Sequence, residues 1–292
     1  MKPGLDRLAV VTATLDLDRA KDCINSWAER ADYDFTSVLV WSGTAADSDA
    51  RTKAFAPEVD HRQGRNIFVL RPEILGVVPA FALGVEYALK AGAEVIACFH
   101  DDLLIEDDSW DTEVLSHFDG EPRMGLCGFG GGTGLGHQDI YQKGYSPYDL
   151  AREGFISNMR EAEAHGRRVT RPTRVACLDG FSQIGRREYW CGRVRGGLED
   201  IPIDKNLLSY MAHWGLVHHA YDAALGAFAA RLGWETWMLP IACHHFGGRT
   251  AVGDPRYAEW AQTIVPGGDK DFWELAHRLV YDAFRDVLPI RV

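Results

Sequence analysis

Glu94-Val95-Ile96-Ala97-Cys98-Phe99-His100-Asp101-Asp102 is a short apolar run that stops abruptly at three polar residues. EVIACF over Glu94 to Phe99 has the length and composition of a strand buried on both faces. Moving upstream, Pro79 to Ala91 reads as a helix closed by Gly92, and Asn66 to Leu70 (NIFVL) as a strand. Ser37 to Trp41 (SVLVW) and Leu8 to Thr14 (LAVVTAT) are two more strands. Between them, Asp18 to Arg30 spaces Ala20, Ile24 and Trp27 as one face of a helix. Strands alternating with helices predict an α/β fold with a Rossmann-type, mostly parallel central sheet flanked by helices. Ligands of such sheets bind beyond the carboxyl ends of the strands, where His100-Asp101-Asp102 falls.

Downstream the pattern changes to a more elaborate second half. Gly125 to Gly136 holds seven glycines, and with the Gly, Pro and aromatic residues of Tyr141 to Tyr148 it reads as a long loop. Residues 151–200 carry ten arginines against seven acids. Arg174 to Leu178 (RVACL) predicts a strand leading into Asp179-Gly180-Phe181, and Tyr221 to Gly233 a helix. Thr236 to Cys243 (TWMLPIAC) predicts a strand ending at His244-His245, with Gly247-Gly248 just beyond and a loop to Gly268. Asp269 to Leu288 closes the chain as an amphipathic helix, with Trp273, Ala276, Val280, Ala283, Phe284 and Val287 on its apolar face. With no repeat and no clean linker, the expectation is a single domain over 1–292.

The chain has 292 residues, 46% hydrophobic and 25% charged, which excludes a disordered segment or a small disulfide scaffold. The net charge of −11 disfavours gripping nucleic acid over the whole surface. None of the six cysteines forms a C-x-x-C pair, and Cys98, Cys177 and Cys243 sit in strand-like runs as buried thiols. Met1 to Asp6 lacks the apolar core of a secretory leader, and no apolar run is long enough to span a membrane. The cytoplasm is the expected compartment.

His100, Asp101 and Asp102 have the chemistry to hold Mg2+ or Mn2+, since carboxylates suit both ions and imidazole suits Mn2+. A helix cap or turn accounts for the same residues equally well. Glu106-Asp107-Asp108 reads as a solvated turn before the Trp110 helix. His244 and His245, at a strand end before glycines, are either metal ligands or a satisfied polar pair. Asp222 opens a helix behind His218-His219, as a cap or as a general base. The glycine run lacks the Lys-Ser/Thr of a phosphate-binding loop and reads as a mobile segment instead.

Gly76-x-x-x-Ala80-x-x-x-Gly84, then Ala88, an apolar strand and His100-Asp101-Asp102, resembles the donor half of family 2 glycosyltransferases of the GT-A fold. Asp179-Gly180-Phe181 to Arg186-Arg187, Tyr221-Asp222-x-x-Leu225 and Cys243-His244-His245-Phe246-Gly247-Gly248 resemble that family's later segments in order, so the likeness spans residues 8–250. The family's Arg-Asn pair falls on Phe81 and Ala82, and its aspartate-rich turn on Trp41-Ser42-Gly43. The resemblance implies a nucleotide-sugar-binding half (1–118), an acceptor and catalytic half (119–268) and a C-terminal helix (269–292). It implies Mn2+ or Mg2+ held by His100, Asp102 and His244 or His245, with Asp222 as catalytic base. Thr12, Thr14, Gly76, Asp101, Arg186 and Arg187 would bind a UDP- or GDP-sugar; Asp179, Gly180 and Phe181 would contact the acceptor or sugar. The implied activity is metal-dependent hexosyl transfer to an acceptor hydroxyl, with inversion. The acceptor would be a glycan, a protein or a small molecule, with modified DNA a lesser option given the charge. The alternatives are an inactive GT-A-like nucleotide- or glycan-binding protein and a phosphohydrolase built on His61, His100-Asp101 and Asp222. The last class is all-helical, which the strand-like run before His100 opposes.

Overall fold

The computed structural model describes residues 7–43, 65–136, 148, 150–151, 154–159, 167–195, 205–247 and 254–292. The first half runs β1 (Leu8–Thr14), α1 (Leu17–Glu29), β2 (Thr36–Ser42), β3 (Asn66–Arg71), α2 (Val77–Lys90), β4 (Val95–His100), β5 (Leu103–Ile105) and α3 (Trp110–Gly120). There follow β6 (Met124–Gly128), β7 (Gly130–Gly132), β8 (Gly134–Leu135), β9 (Phe155–Ser157), β10 (Thr173–Val175), β11 (Cys177–Leu178) and β12 (Ser182–Arg186). The chain closes with α4 (Arg187–Trp190), α5 (Leu207–His213), α6 (Tyr221–Arg231), β13 (Glu235–Met238), β14 (Cys243–His245), α7 (Pro255–Ile264), α8 (Asp269–Ala283) and β15 (Ile290–Arg291).

An eight-stranded sheet has the order β10-β13-β6-β12-β4-β1-β2-β3. Strands β3, β2, β1 and β4 are parallel; β12 runs antiparallel between β4 and β6, and β10 is reversed at the far edge. The period-2 alternation of the strands explains the two cores. Leu8, Val10, Leu39, Trp41, Ala97 and Phe99 pack on one face with α1 and α3, where Trp27, Phe99 and Trp110 interlock. Ala9, Val11, Val38, Val40, Ile96 and Cys98 pack on the other with α2, α5, α6 and α8. Cys98, Cys177 and Cys243 are buried thiols outside any disulfide.

Gly84 shows why α2 carries small residues on its sheet side. A Cβ there would lie 2.1 Å from Val11 Cγ1 and 3.3 Å from Val40 Cγ2. Gly84→Ala is therefore expected to destabilise by about 1–3 kcal/mol through overpacking, seen as a Tm fall of several degrees. An unchanged Tm would show that the helix can ride outward freely.

Four expectations need correction. Much of Gly125–Gly136 is strand, as β6, β7 and β8. The glycines allow close backbone approach: a Cβ at Gly128 would meet Ser182 O at 2.3 Å, and one at Gly131 would meet Cys177 O at 2.4 Å. The Thr236–Cys243 run breaks after Met238, next to Pro240, into β13 in the main sheet and β14, which pairs with β5. Arg174–Leu178 likewise splits between two sheets as β10 and β11. Residues 247–268, read as loop, contain α7, started by an Asp254 cap on Arg256 N and by Pro255. Gly248, His61 and Tyr141 to Ser146 lie outside the described residues.

Candidate active site and metal centre

A cleft of about 320 Å³ opens at the carboxyl ends of β1 and β4 and is lined by residues from both halves of the chain. His100, the last residue of β4, and Asp102 face it from one side. Strand β14, pairing antiparallel with β5, brings His245 opposite Leu103 and so into reach. One ligand atom from each of His100, Asp102 and His245 lies within 4.8 Å of the others. His245 Nε2 is 3.1 Å from Asp102 Oδ1, and each of these buried atoms has no other hydrogen-bond partner. A carboxylate oxygen and an imidazole nitrogen with only each other for company suit a shared cation, which would replace the ring proton.

The tautomer of His100 is fixed by its neighbours. Tyr221 donates its one hydroxyl hydrogen to Gly180 O at 2.6 Å, since a carbonyl only accepts. It therefore accepts from His100 Nε2–H at 2.7 Å, leaving the Nδ1 lone pair on the Asp102 side, 3.9 Å from Oδ1. Burial, aided by repulsion from His245, lowers the His100 pKa to about 4, so the ring is neutral at pH 7. Asp102 is held down to about 2: burial alone would raise it, and the His245 contact and both imidazoles outweigh that. These are a neutral imidazole, a carboxylate and a second imidazole, a donor set that fits Mn2+.

Asp222 stands in the first turn of α6 and lines the same cleft. Its Oδ1 accepts from the Tyr148 hydroxyl and from Ala223 N. Burial, reinforced by the charge of Asp179 and opposed by the Tyr148 bond, raises its pKa to about 6. Asp101 bridges α1 and β1, accepting from Arg19 Nη2 at 2.7 Å and Thr14 Oγ1 at 2.5 Å. This ties the strand that carries the metal residues to the rim of the cleft. Burial raises the Asp101 pKa, with Arg19 opposing.

No protein-family model matches the sequence, and no curated protein is detectably similar to it. Solved structures are. GalNAc-T7, solved with UDP, GalNAc and Mn2+, is similar over 97% of this chain and 57% of that one, at 11% identity and a TM-score of 0.51. The chain thus spans little more than half of that protein. The mannosyltransferase PcManGT from Pyrobaculum calidifontis, solved with GDP-Man and Mn2+, matches over 94% of this chain and 69% of that one, at 15% identity and a TM-score of 0.49. This chain has a GT-A fold.

Within the GT-A fold, Thr14, Gly76, Asp101, Asp179 and Gly180 line the cleft with His100, Asp102, His245 and Asp222. Gly76 (φ +78°) caps α2, and a Cβ there would meet Val217 O at 2.6 Å. Other expected positions need correction. Thr12 is buried and does not line the cleft, because it lies two residues short of the strand end. His244 turns to the other side of β14, edge-on to Phe246, as strand alternation requires. Phe181 is fully buried and stacks on His245 at 4.7 Å, backing that ring rather than meeting a ligand.

Arg186 and Arg187 also leave the cleft. Antiparallel β12 carries Arg186 to the level of Val95, five residues from His100 and roughly 16 Å away at about 3.3 Å per residue. Arg186 donates to Phe118 O, Glu121 O and Met124 O, and Arg187 to Leu89 O and Ala93 O. Both guanidiniums cap carbonyls at the ends of α3 and α2.

Tyr148, His218, His219, Tyr221, Tyr257 and Trp273 also line the cleft, beyond the site residues expected from the sequence. Tyr221 had a signal in its adjacency to Asp222. Trp273 was assigned to the apolar face of the last helix, but it is 37% exposed; the buried stripe of α8 is Phe272, Ala276, His277 and Val280. Phe81, at the Arg position of the related pattern, stacks near His100 (6.2 Å) and packs edge-on to Tyr221.

Proposed function

We propose that the chain is a metal-dependent glycosyltransferase that moves a hexose from a UDP- or GDP-sugar to an acceptor hydroxyl with inversion. The observation that carries this reading is one cleft holding both the His100–Asp102–His245 group and Asp222, a carboxylate whose pKa sits near neutrality. The similar GalNAc-T7 structure contains UDP, a sugar and Mn2+ in the same kind of fold, which supports it. Bound at the three ligands, a divalent ion would neutralise the negative charge of the departing diphosphate. Asp222 takes the acceptor proton as that oxygen attacks the anomeric carbon, and the bond to the diphosphate breaks on the opposite face. Tyr148 and Ala223 N hold Oδ1, so Oδ2 is the atom assigned to the proton. Tyr221 and Phe181 position His100 and His245. Glycan, protein and small-molecule acceptors all satisfy this chemistry. Among the described residues no helix is long and apolar enough to cross a membrane.

Incubation with a panel of UDP- and GDP-sugars and Mn2+ should release UDP or GDP from one donor class, and EDTA should stop it. Release from none of them would overturn the reading. The groups facing Asp222 are Tyr148, Asp179, Tyr221 and Cys177, of which Asp179 is the one carboxylate. The base must be ionised, so kcat/KM is expected to fall about tenfold per pH unit below an apparent pKa near 6. A profile flat from pH 5 to 7.5 would remove Asp222 as the base.

A further inference from the structure

Among the described residues that line the cleft, Trp273 is a large aromatic side chain left exposed. It lines the cavity with Tyr148, Asp179 and Asp222, whereas Thr14, Leu15, Ser42 and Ile74 line it from the ends of the parallel strands. At 37% exposure it contrasts with its neighbour Phe272, which is buried with Leu15, Tyr257 and Ala261. Its ring is braced: the His277 imidazole, one helical turn along α8, packs against it and is itself buried edge-on to Tyr148. A braced indole loses little freedom when a ligand stacks on it.

Taking the cleft as a glycosyltransferase site, we propose that Trp273 is the stacking platform of the acceptor subsite and that the acceptor is a carbohydrate ring. Three features select this occupant. The C–H face of a pyranose matches an indole face in size and polarity. The hydroxyls around that ring are donors, and two carboxylates, Asp179 and Asp222, line the same cavity to accept them, Asp222 being tied to the platform through Tyr148 and His277. The same two carboxylates repel a phosphate backbone, which sets DNA aside as the acceptor.

The test is saturation-transfer NMR on the full chain with Mn2+ and UDP or GDP. The probes are the methyl glycosides of glucose, galactose, mannose and N-acetylglucosamine. At least one is expected to bind, to weaken about tenfold or more in Trp273→Ala, and to stay within about threefold in Trp273→Phe. Mn2+-dependent nucleotide binding should be the same in all three proteins, which also reports that the variants fold. The proposal is overturned if no glycoside binds the wild type while the nucleotide does, or if Trp273→Ala binds glycosides as well as the wild type. It is also overturned if Trp273→Ala loses nucleotide affinity, since the indole would then belong to the donor. Trp273-dependent glycoside binding without any Mn2+-dependent nucleotide binding would uphold the subsite and remove the transferase reading instead.

Discussion

Asp222→Asn is expected to lower transfer by about 10³-fold while leaving donor and metal binding unchanged and making the folded protein more stable. The loss follows from removing the one carboxylate positioned as a base, for which factors of about 10²–10⁴ are usual. The gain in stability follows from its pKa. A carboxyl raised from 3.8 to about 6 on folding favours the folded chain when protonated. That contribution is complete below about pH 4 and is lost as pH rises through 6, so the ionised group is a penalty at neutral pH. With allowance for its partial exposure, the penalty is about 1–2 kcal/mol, or a Tm gain of about 2–5 °C for the variant at pH 7.5. Asn keeps an oxygen for Tyr148 and Ala223 N, so the bonds that hold the side chain survive. The gain should shrink to about a third at pH 4.5 and vanish near pH 3, where the wild-type group is protonated in both the folded and the unfolded chain. An active variant, or one whose Tm is unchanged at both pH values, would contradict this role.

The second large effect is at the metal ligands. Asp102→Asn and His245→Ala should each weaken Mn2+ binding by at least about 100-fold, and His244→Ala should not, although it is the adjacent residue. Asp102 is the single anion of the group, and His245 Nε2 is the nearest nitrogen to it at 3.1 Å. Transfer should fall by about 10²–10³-fold with the first two substitutions. Titration of the protein with Mn2+, read by calorimetry, separates the cases. Equal affinities in His244→Ala and His245→Ala would remove His245 as the ligand, and a loss in His244→Ala alone would mean that β14 presents its other face to the cleft.

What the sequence made readable follows from periodicity. Strands β1, β2 and β4 are buried on both faces, so their runs of Val, Leu, Ile and Ala stand out, and the helical period of α1 and α2 beside them marks the alternation of a parallel sheet. The glycine strands did not stand out, because a residue without a side chain carries no hydrophobic period. His100 and Asp102 were legible as chemistry because polar residues end a buried strand. The choice of His245 over His244 needed the pairing of β14 with β5, which sets the face of each. Arg186 and Arg187 follow a cleft segment in sequence, but the reversed direction of β12 takes them to the opposite end of the sheet. Tyr148 reaches Asp222 across 74 residues with no pattern to announce it.

Thermal unfolding of the wild-type chain with UDP and with GDP, each in Mn2+ and in EDTA, tests metal-dependent nucleotide-sugar chemistry most directly. A ligand at about 100 times its Kd adds about 2.7 kcal/mol, which is several degrees for a chain of this size. One of the two nucleotides should raise Tm by that amount in Mn2+ and by almost nothing in EDTA. Stabilisation by neither nucleotide, or equal stabilisation with and without the metal, would contradict the account.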